Sequence, residues 1–217
     1  MKKYECVLFD LDGTLVNSYE GILNSYIYTA EKMGLTSLHE REVNEVIGAP
    51  LHSVFKERFS LDEKQSRIAI ELYRTRYAEK GIYEVQIYSQ IEKLLLALQN
   101  KKKRLGVATL KKEELAYKML DYLGIVKYFE VVKGMDEADL LTKKDIILRA
   151  IQQLGTSREN TVLIGDSEYD AIGAKEAGVD FIGVSYGFGF KSMQNTVANK
   201  IQVTIVKEPF ELIKYID

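Results

Sequence analysis

Residues 4–15 read Tyr-Glu-Cys-Val-Leu-Phe-Asp-Leu-Asp-Gly-Thr-Leu. An apolar run over Cys6–Phe9 stops at Asp10, and Leu11, Asp12, Gly13 and Thr14 follow at once. The run is short and contains Val, Leu and Phe, which suits a buried strand. Two carboxylates one residue apart at its end repel each other unless a cation or a shared proton relieves them. In a parallel α/β sheet the carboxyl ends of the strands are where ligands bind. The stretch therefore predicts both a strand and a site beside it, with a metal ion as the natural partner of the acids.

Outward from this point the chain alternates. Further strand-like runs are Leu105–Ala108, Phe129–Val132, Val162–Ile164, Phe181–Val184 and Val203–Val206. Glu113–Leu123, Lys144–Leu154 and Glu168–Ala177 carry apolar residues at three- and four-residue spacing, and Pro209–Ile216 reads as a last short helix. Strands alternating with helices of this length imply right-handed βαβ units and a parallel sheet. The alternation fails between Val16 and about Tyr83, where Tyr19–Met33, Glu40–Val46 and Asp62–Glu79 read as helices separated by Gly34, Gly48-Ala49-Pro50 and Gly81. The expected organisation is an α/β core over residues 1–15 and 84–217 with an inserted helical domain over 16–83, hinged near Leu15–Ser18 and Gly81–Ile87.

At 217 residues the chain has room for one large domain, or for a core and a small second one. Its 30 basic and 32 acidic side chains nearly cancel, so no general attraction to nucleic acid or membrane is expected. The short basic run Lys101–Arg104 reads as a solvated helix end, and Arg74 and Arg76 as solvated side chains of a charged helix. The single cysteine, Cys6, lies in the first apolar run and has no partner for an internal disulfide, which fits a reducing cytoplasm. No apolar stretch has the length of a signal peptide or a membrane span.

Four groups of reactive side chains fall at predicted strand ends or beside them. They are Asp10 with Asp12, Thr109 with Lys111 two residues later, Lys143 just before a helix, and Asp166 with Asp170 in Gly-Asp-Ser-Glu-Tyr-Asp. Parallel strands point all of these ends the same way. Several carboxylates with few other ligands suit a hard, oxygen-loving ion such as Mg²⁺. Only two histidines and no paired cysteines argue against zinc. A phosphate needs a cation, a hydroxyl and backbone N–H groups, which Lys143, Thr109 and the turn at Leu11–Asp12 can supply. One aspartate can attack phosphorus and a second can move protons. Each piece has a plainer reading when taken alone. Asp166 could be a helix N-cap, Asp170 a first-turn acid, Thr109 an ordinary strand residue and Lys143 a surface lysine with Lys144 competing for its role. Their occurrence together, in order, is what those readings do not explain.

The set Asp-Leu-Asp-Gly-Thr-Leu, a strand ending in Thr, a lysine and then Gly-Asp-Ser-Glu-Tyr-Asp resembles the haloacid dehalogenase-like superfamily of hydrolases over essentially the whole chain. Ile47–Leu51 and Tyr186–Gly189 resemble its phosphoglycolate-phosphatase-like branch. The resemblance implies a Rossmann-like core with a small helical cap. It implies Asp10 as nucleophile and Asp12 as acid/base, and Leu11, Thr109, Leu110 and Lys143 around the phosphoryl group. Mg²⁺ would be held by Asp10, the Asp12 backbone, Asp166 and Asp170. Lys143 is preferred to Lys144 because it keeps the family spacing to Ile146-Ile147. Two turns depart from the branch: Lys112 stands where a proline is usual, and Tyr88-Ser89 where a Pro-Gly pair is. The implied activity is a Mg²⁺-dependent phosphatase acting on a small phosphorylated metabolite. The alternative is a β-phosphoglucomutase-like mutase that passes the phosphoryl group to a sugar hydroxyl. Gly48, Pro50, His52, Lys56 and Arg58 are the cap candidates for substrate choice, and a monomer or weak homodimer is expected.

Overall fold

The computed structural model describes residues 3–39, 42–43, 46–138, 140–190 and 204–216. The chain divides into two compact units, Met1–Asn17 with Ile87–Asp217, and Ser18–Gln86. The first is built on a sheet of six parallel strands: β1 (Cys6–Phe9), β4 (Arg104–Lys112), β5 (Val131–Met135), β6 (Thr161–Gly165), β7 (Asp180–Val184) and β8 (Thr204–Val206). Two short strands, β2 (Val16–Asn17) and β3 (Gln86–Ile87), form a separate ribbon that the sequence reading did not anticipate.

The six strands lie in the order β5-β4-β1-β6-β7-β8. β1 is therefore central, and the chain leaves it in one direction for β4 and later returns to its other side at β6. Such a reversal of strand order opens a crevice at the carboxyl edge. The register aligns Phe9 with Val107 and with Ile164. Asp10 follows Phe9 directly, and Thr109 and Asp166 stand two residues beyond Val107 and Ile164, so all three reach the same edge. Every residue of β1 is buried, as expected of a strand flanked on both sides and covered on both faces.

The helices of this unit are α4 (Ile91–Asn100), α5 (Glu113–Tyr122), α6 (Lys143–Leu154), α7 (Glu168–Ala177) and α8 (Ile213–Ile216), the last preceded by a 3₁₀ turn over Pro209–Leu212. Leu8, Leu163, Ala108 and Val131 of the sheet pack with Ile146, Ile147, Ala150, Ile151 and Leu154 of α6 and Ala174 and Ala177 of α7. Local signals set the helix ends. Thr142 caps α6 in a reciprocal pair with Asp145, and Ser167 caps α7 in the same way with Asp170. Gly155 and Gly178 end the two helices in the left-handed conformation. Helix α4 was implied only by its basic end and given no bounds, although Ile91, Leu94, Leu95 and Leu98 form its buried stripe at helical spacing. The basic run after it is only partly a solvated end. Lys103 Nζ donates to the Tyr4 carbonyl at 2.8 Å, and Arg104 lies in β4 with its guanidinium 2.6 Å from Glu130.

The second unit contains α1 (Tyr19–Met33), α2 (Leu51–Glu57), α3 (Glu63–Glu79) and a 3₁₀ turn over Gly81–Tyr83. The expected helix over Glu40–Val46 lies largely outside the described residues, and α2 begins directly after the Gly48-Ala49-Pro50 break, over residues for which no element was read. Tyr26 of α1, Phe55 of α2 and Tyr73 of α3 form an aromatic core, with ring centroids 5.6 Å and 4.8 Å from Tyr26. Arg76, read as solvated, instead donates both arms of its guanidinium to Glu84 at 2.5 and 2.7 Å. That bidentate pair holds the Glu84 carboxyl below its usual range. Among the described residues no helix is long and apolar enough to cross a membrane.

Candidate active site

The turn after β1 is tight. The Leu11 carbonyl accepts from the N–H groups of Thr14, Leu15 and Val16, and Gly13 takes φ +84°. A side chain at Gly13 would meet both strain and the Asp166 carboxylate. This turn therefore carries Asp10 and Asp12 up to the end of β6.

Four of the expected residues converge tightly. Lys143 Nζ lies 2.6 Å from Asp10 Oδ1 and 2.6 Å from Asp170 Oδ1. Asp10, Asp166 and Asp170 present carboxylate oxygens that all lie within 4.8 Å of one another, and all three residues are buried. Lys143 is the first residue of α6 and is buried, whereas Lys144 is exposed. The N-cap of α7 is Ser167 rather than Asp166. Asp170 does two jobs: Oδ2 accepts from Ser167 Oγ at 2.6 Å while Oδ1 faces Lys143. Thr109 is buried at the end of the core of β4, with Leu110 half-buried after it. The cap candidates Gly48, Pro50, His52, Lys56 and Arg58 all lie in the second unit. There His52 and Lys56 share Glu63, at 3.0 and 3.8 Å.

Two supports were not assigned a role from the sequence. The backbone N–H groups of Phe188 and Gly189 donate to Asp166 Oδ2 at 2.6 and 3.1 Å, and Tyr186 Oη donates to the Thr14 carbonyl at 3.0 Å. The Tyr-Gly-Phe-Gly stretch, noted only as a resemblance, is thus the loop that orients Asp166. Lys111 Nζ lies 2.8 Å from Asp12 Oδ2. Its spacing from Thr109 was visible, but not its partner.

The electrostatics are unbalanced. Burial pushes the Asp10 carboxyl up to about 7, against the pull of Lys143 and with the repulsion of Asp170 and Asp12. Burial likewise holds Asp166 well above the carboxylate range, reinforced by the charges of Asp170 and Asp10 and opposed by the N–H groups of Phe188 and Gly189. Burial alone would lower the Lys143 ammonium, but Asp10 and Asp170 outweigh it and hold it up. One ammonium against three carboxylates leaves the cluster short of positive charge. An all-oxygen set on this length scale fits a hard divalent cation, whose bonds to oxygen run about 2.0–2.6 Å.

Gly173 of α7 shows how closely the parts are fitted. A Cβ there would stand 2.5 Å from Lys143 Cγ. Alanine is the better helix former by about 1 kcal/mol. Gly173→Ala is nevertheless expected to lower turnover about 10- to 100-fold by displacing the ammonium. An activity assay beside a thermal melt checks this, and undiminished turnover would refute it.

The family model for haloacid dehalogenase-like hydrolases matches residues 7–184. The chain belongs to this family and is an enzyme of its phosphatase kind. It is 32% identical to a 5'-nucleotidase of Pseudomonas aeruginosa over 86% of this chain and 85% of that protein. It is 28% identical to a phosphoglycolate phosphatase of Aquifex aeolicus over 97% and 96% of the two chains. A haloacid dehalogenase-like hydrolase from Streptococcus pneumoniae superposes with a TM-score of 0.91 at 32% identity, covering all of both chains. The expected superfamily and the α/β fold are thereby borne out.

Proposed function

We propose that the protein is a Mg²⁺-dependent phosphatase that hydrolyses a small phosphate monoester through an aspartyl-phosphate on Asp10. The observation that carries this reading is the Asp10 carboxylate at the end of β1, 2.6 Å from the Lys143 ammonium and grouped with Asp166 and Asp170. A carboxylate placed against an ammonium can approach a phosphoryl dianion whose charge that ammonium also offsets. In the first step an Asp10 oxygen bonds to phosphorus while the bond to the ester oxygen breaks. Asp12 gives that oxygen its proton, and the alcohol leaves. In the second step water attacks phosphorus, Asp12 takes the water's proton, and the bond to Asp10 breaks to release inorganic phosphate. Thr109, Lys143 and the backbone at Leu11 and Leu110 hold the phosphoryl oxygens. Asp10, Asp166, Asp170 and the Asp12 backbone would hold the metal ion, which supplies charge neutralisation for the phosphoryl group.

The two curated relatives are named for different leaving alcohols on the same phosphoryl chemistry, so the phosphoryl-binding residues alone do not choose the substrate. We assign that choice to the inserted helical domain, 16–83, through Gly48, Pro50, His52, Lys56 and Arg58. The same reading has the enzyme working in the cytoplasm as a monomer or weak homodimer. A panel of phosphoglycolate, nucleoside 5'-monophosphates, pyrophosphate and sugar phosphates tests it, read as phosphate release with and without glucose bisphosphate. Release without the bisphosphate is expected, and Lys56→Ala or Arg58→Ala should reorder the preferred esters by about tenfold or more. A strict need for the bisphosphate would replace hydrolysis by mutase chemistry. An unchanged ranking in both variants would remove those two residues from substrate choice.

A further inference from the structure

We propose that Lys111 is the positioning residue of Asp12, pinning one carboxylate oxygen so that the other exchanges protons with the leaving alcohol and with water. The proposal rests on the reading of Asp12 as the acid/base. Lys111 Nζ sits 2.8 Å from Asp12 Oδ2, and the two side chains are only 8% and 12% exposed. A nearly dry ammonium persists where an anion faces it. Asp12 Oδ1, in contrast, is buried and has no hydrogen-bond partner among the described residues. A buried carboxylate oxygen left open is costly unless a ligand group completes it. The ion pair thus divides the two oxygens into one that is held and one that is available.

The backbone is shaped to deliver this ammonium. Ala108 of β4 stands opposite Lys133 of β5, but Lys112 stands opposite Met135, so the register slips between them. Four steps on β4 span two on β5, and the extra length carries Thr109–Lys111 forward. The irregular segment is braced from several sides. Lys111 N donates to Thr109 Oγ1 at 3.3 Å, Gly134 N donates to Glu113 Oε2 at 3.2 Å, and Lys112 Nζ donates to the Asp136 carbonyl at 2.6 Å. Gly134 is required there, because a Cβ would overlap the Lys111 carbonyl and the Glu113 backbone. Lys143 does a different job, since it faces Asp10 and Asp170.

The leaving group separates this role from others. An alkoxide needs a proton as it departs, whereas 4-nitrophenolate leaves without one. kcat/KM reports the steps up to transfer onto Asp10, so it is compared for the best alkyl phosphate of the panel and for 4-nitrophenyl phosphate. Lys111→Met is expected to lower kcat/KM for the alkyl ester about 10²- to 10³-fold and for the nitrophenyl ester less than about tenfold. Asp12→Ala should show the same split, the double variant should lose little more than Asp12→Ala alone, and Lys111→Arg should recover most of the alkyl-ester rate. Should Lys111→Met fail to fold, Lys111→Gln carries the same comparison. Equal losses for both esters in the lysine variant, with the split intact in Asp12→Ala, would overturn the proposal and leave the acid/base reading standing. No split in Asp12→Ala would remove the acid/base reading and the proposal with it.

Discussion

Asp10→Asn is expected to stop turnover, with a loss of about four to six orders of magnitude and the fold kept. The amide has the shape of the carboxylate but no anionic oxygen to attack phosphorus. Lys143 keeps its second partner, Asp170, at 2.6 Å, so the cluster stays held. Acid quench of wild type during turnover should leave a phosphoryl adduct on the peptide containing Asp10, and the variant should leave none. Normal turnover by the variant would end the covalent reading. The same pair of proteins tests the electrostatics without metal. Burial raises the folded-state value of Asp10 from 3.8 to about 7, so between these values the folded protein binds more protons than the unfolded chain. Stability from this group is therefore greatest at low pH and is lost as pH rises through that window. In chelator, the melting temperature of wild type relative to Asp10→Asn should fall between about pH 4 and pH 7. A difference that stayed flat or rose would contradict this assignment of the Asp10 carboxyl.

Asp166→Asn is expected to abolish activity and, separately, to abolish stabilisation by Mg²⁺. Asparagine is chosen because its carbonyl still accepts from Phe188 N–H and Gly189 N–H, whereas alanine would take this acceptor away from the buried Phe188 N–H at about 1–3 kcal/mol. Chelator should silence the wild type and added Mg²⁺ should restore it. An ion present at a hundredfold excess over its dissociation constant should raise the stability of wild type by about 2.7 kcal/mol and leave the variant unchanged. Ca²⁺ should inhibit, since its larger and looser oxygen shell suits an in-line displacement poorly. Full activity in chelator would overturn the metal assignment. Activity lost in the variant while Mg²⁺ still stabilises it would place the ion elsewhere.

The legible parts of the site share one property: each is written in adjacent residues. Asp10 and Asp12 were found because an apolar run ends on them, and Asp166 and Asp170 because another does the same before a capped helix. The choice between Lys143 and Lys144 was different in kind. Both are lysines at a helix start, and only the resemblance preferred the first. In the structure Lys143 is buried against two carboxylates and its neighbour is exposed, a difference set by where α6 docks on the sheet.

What escaped was mostly pairing across the chain. Arg76 looks like any arginine of a charged helix, and its half-buried partner Glu84 comes from the segment beyond the following turn. Lys111 was singled out beside Thr109, but the β4–β5 register shift that sends it to Asp12 is not written in its neighbours. The loop over Tyr186–Gly189 holds Asp166 through backbone N–H groups, which side-chain chemistry does not announce. The small strands β2 and β3 have two residues each, too few for any periodicity.

The chain's own pattern therefore settles the alternation of strands and helices, the helical insertion after β1 and the identity of the acidic residues at the strand ends. Those properties follow from burial and hydrogen bonding within a few neighbouring residues. Which carboxylate meets which ammonium, which oxygen of Asp12 is left open, and how three acids come within 4.8 Å of each other follow from strand order and register. Such contacts join residues far apart in the chain, Lys143 and Asp10 being 133 positions apart, and their energies exist only once the sheet has brought its carboxyl edge together.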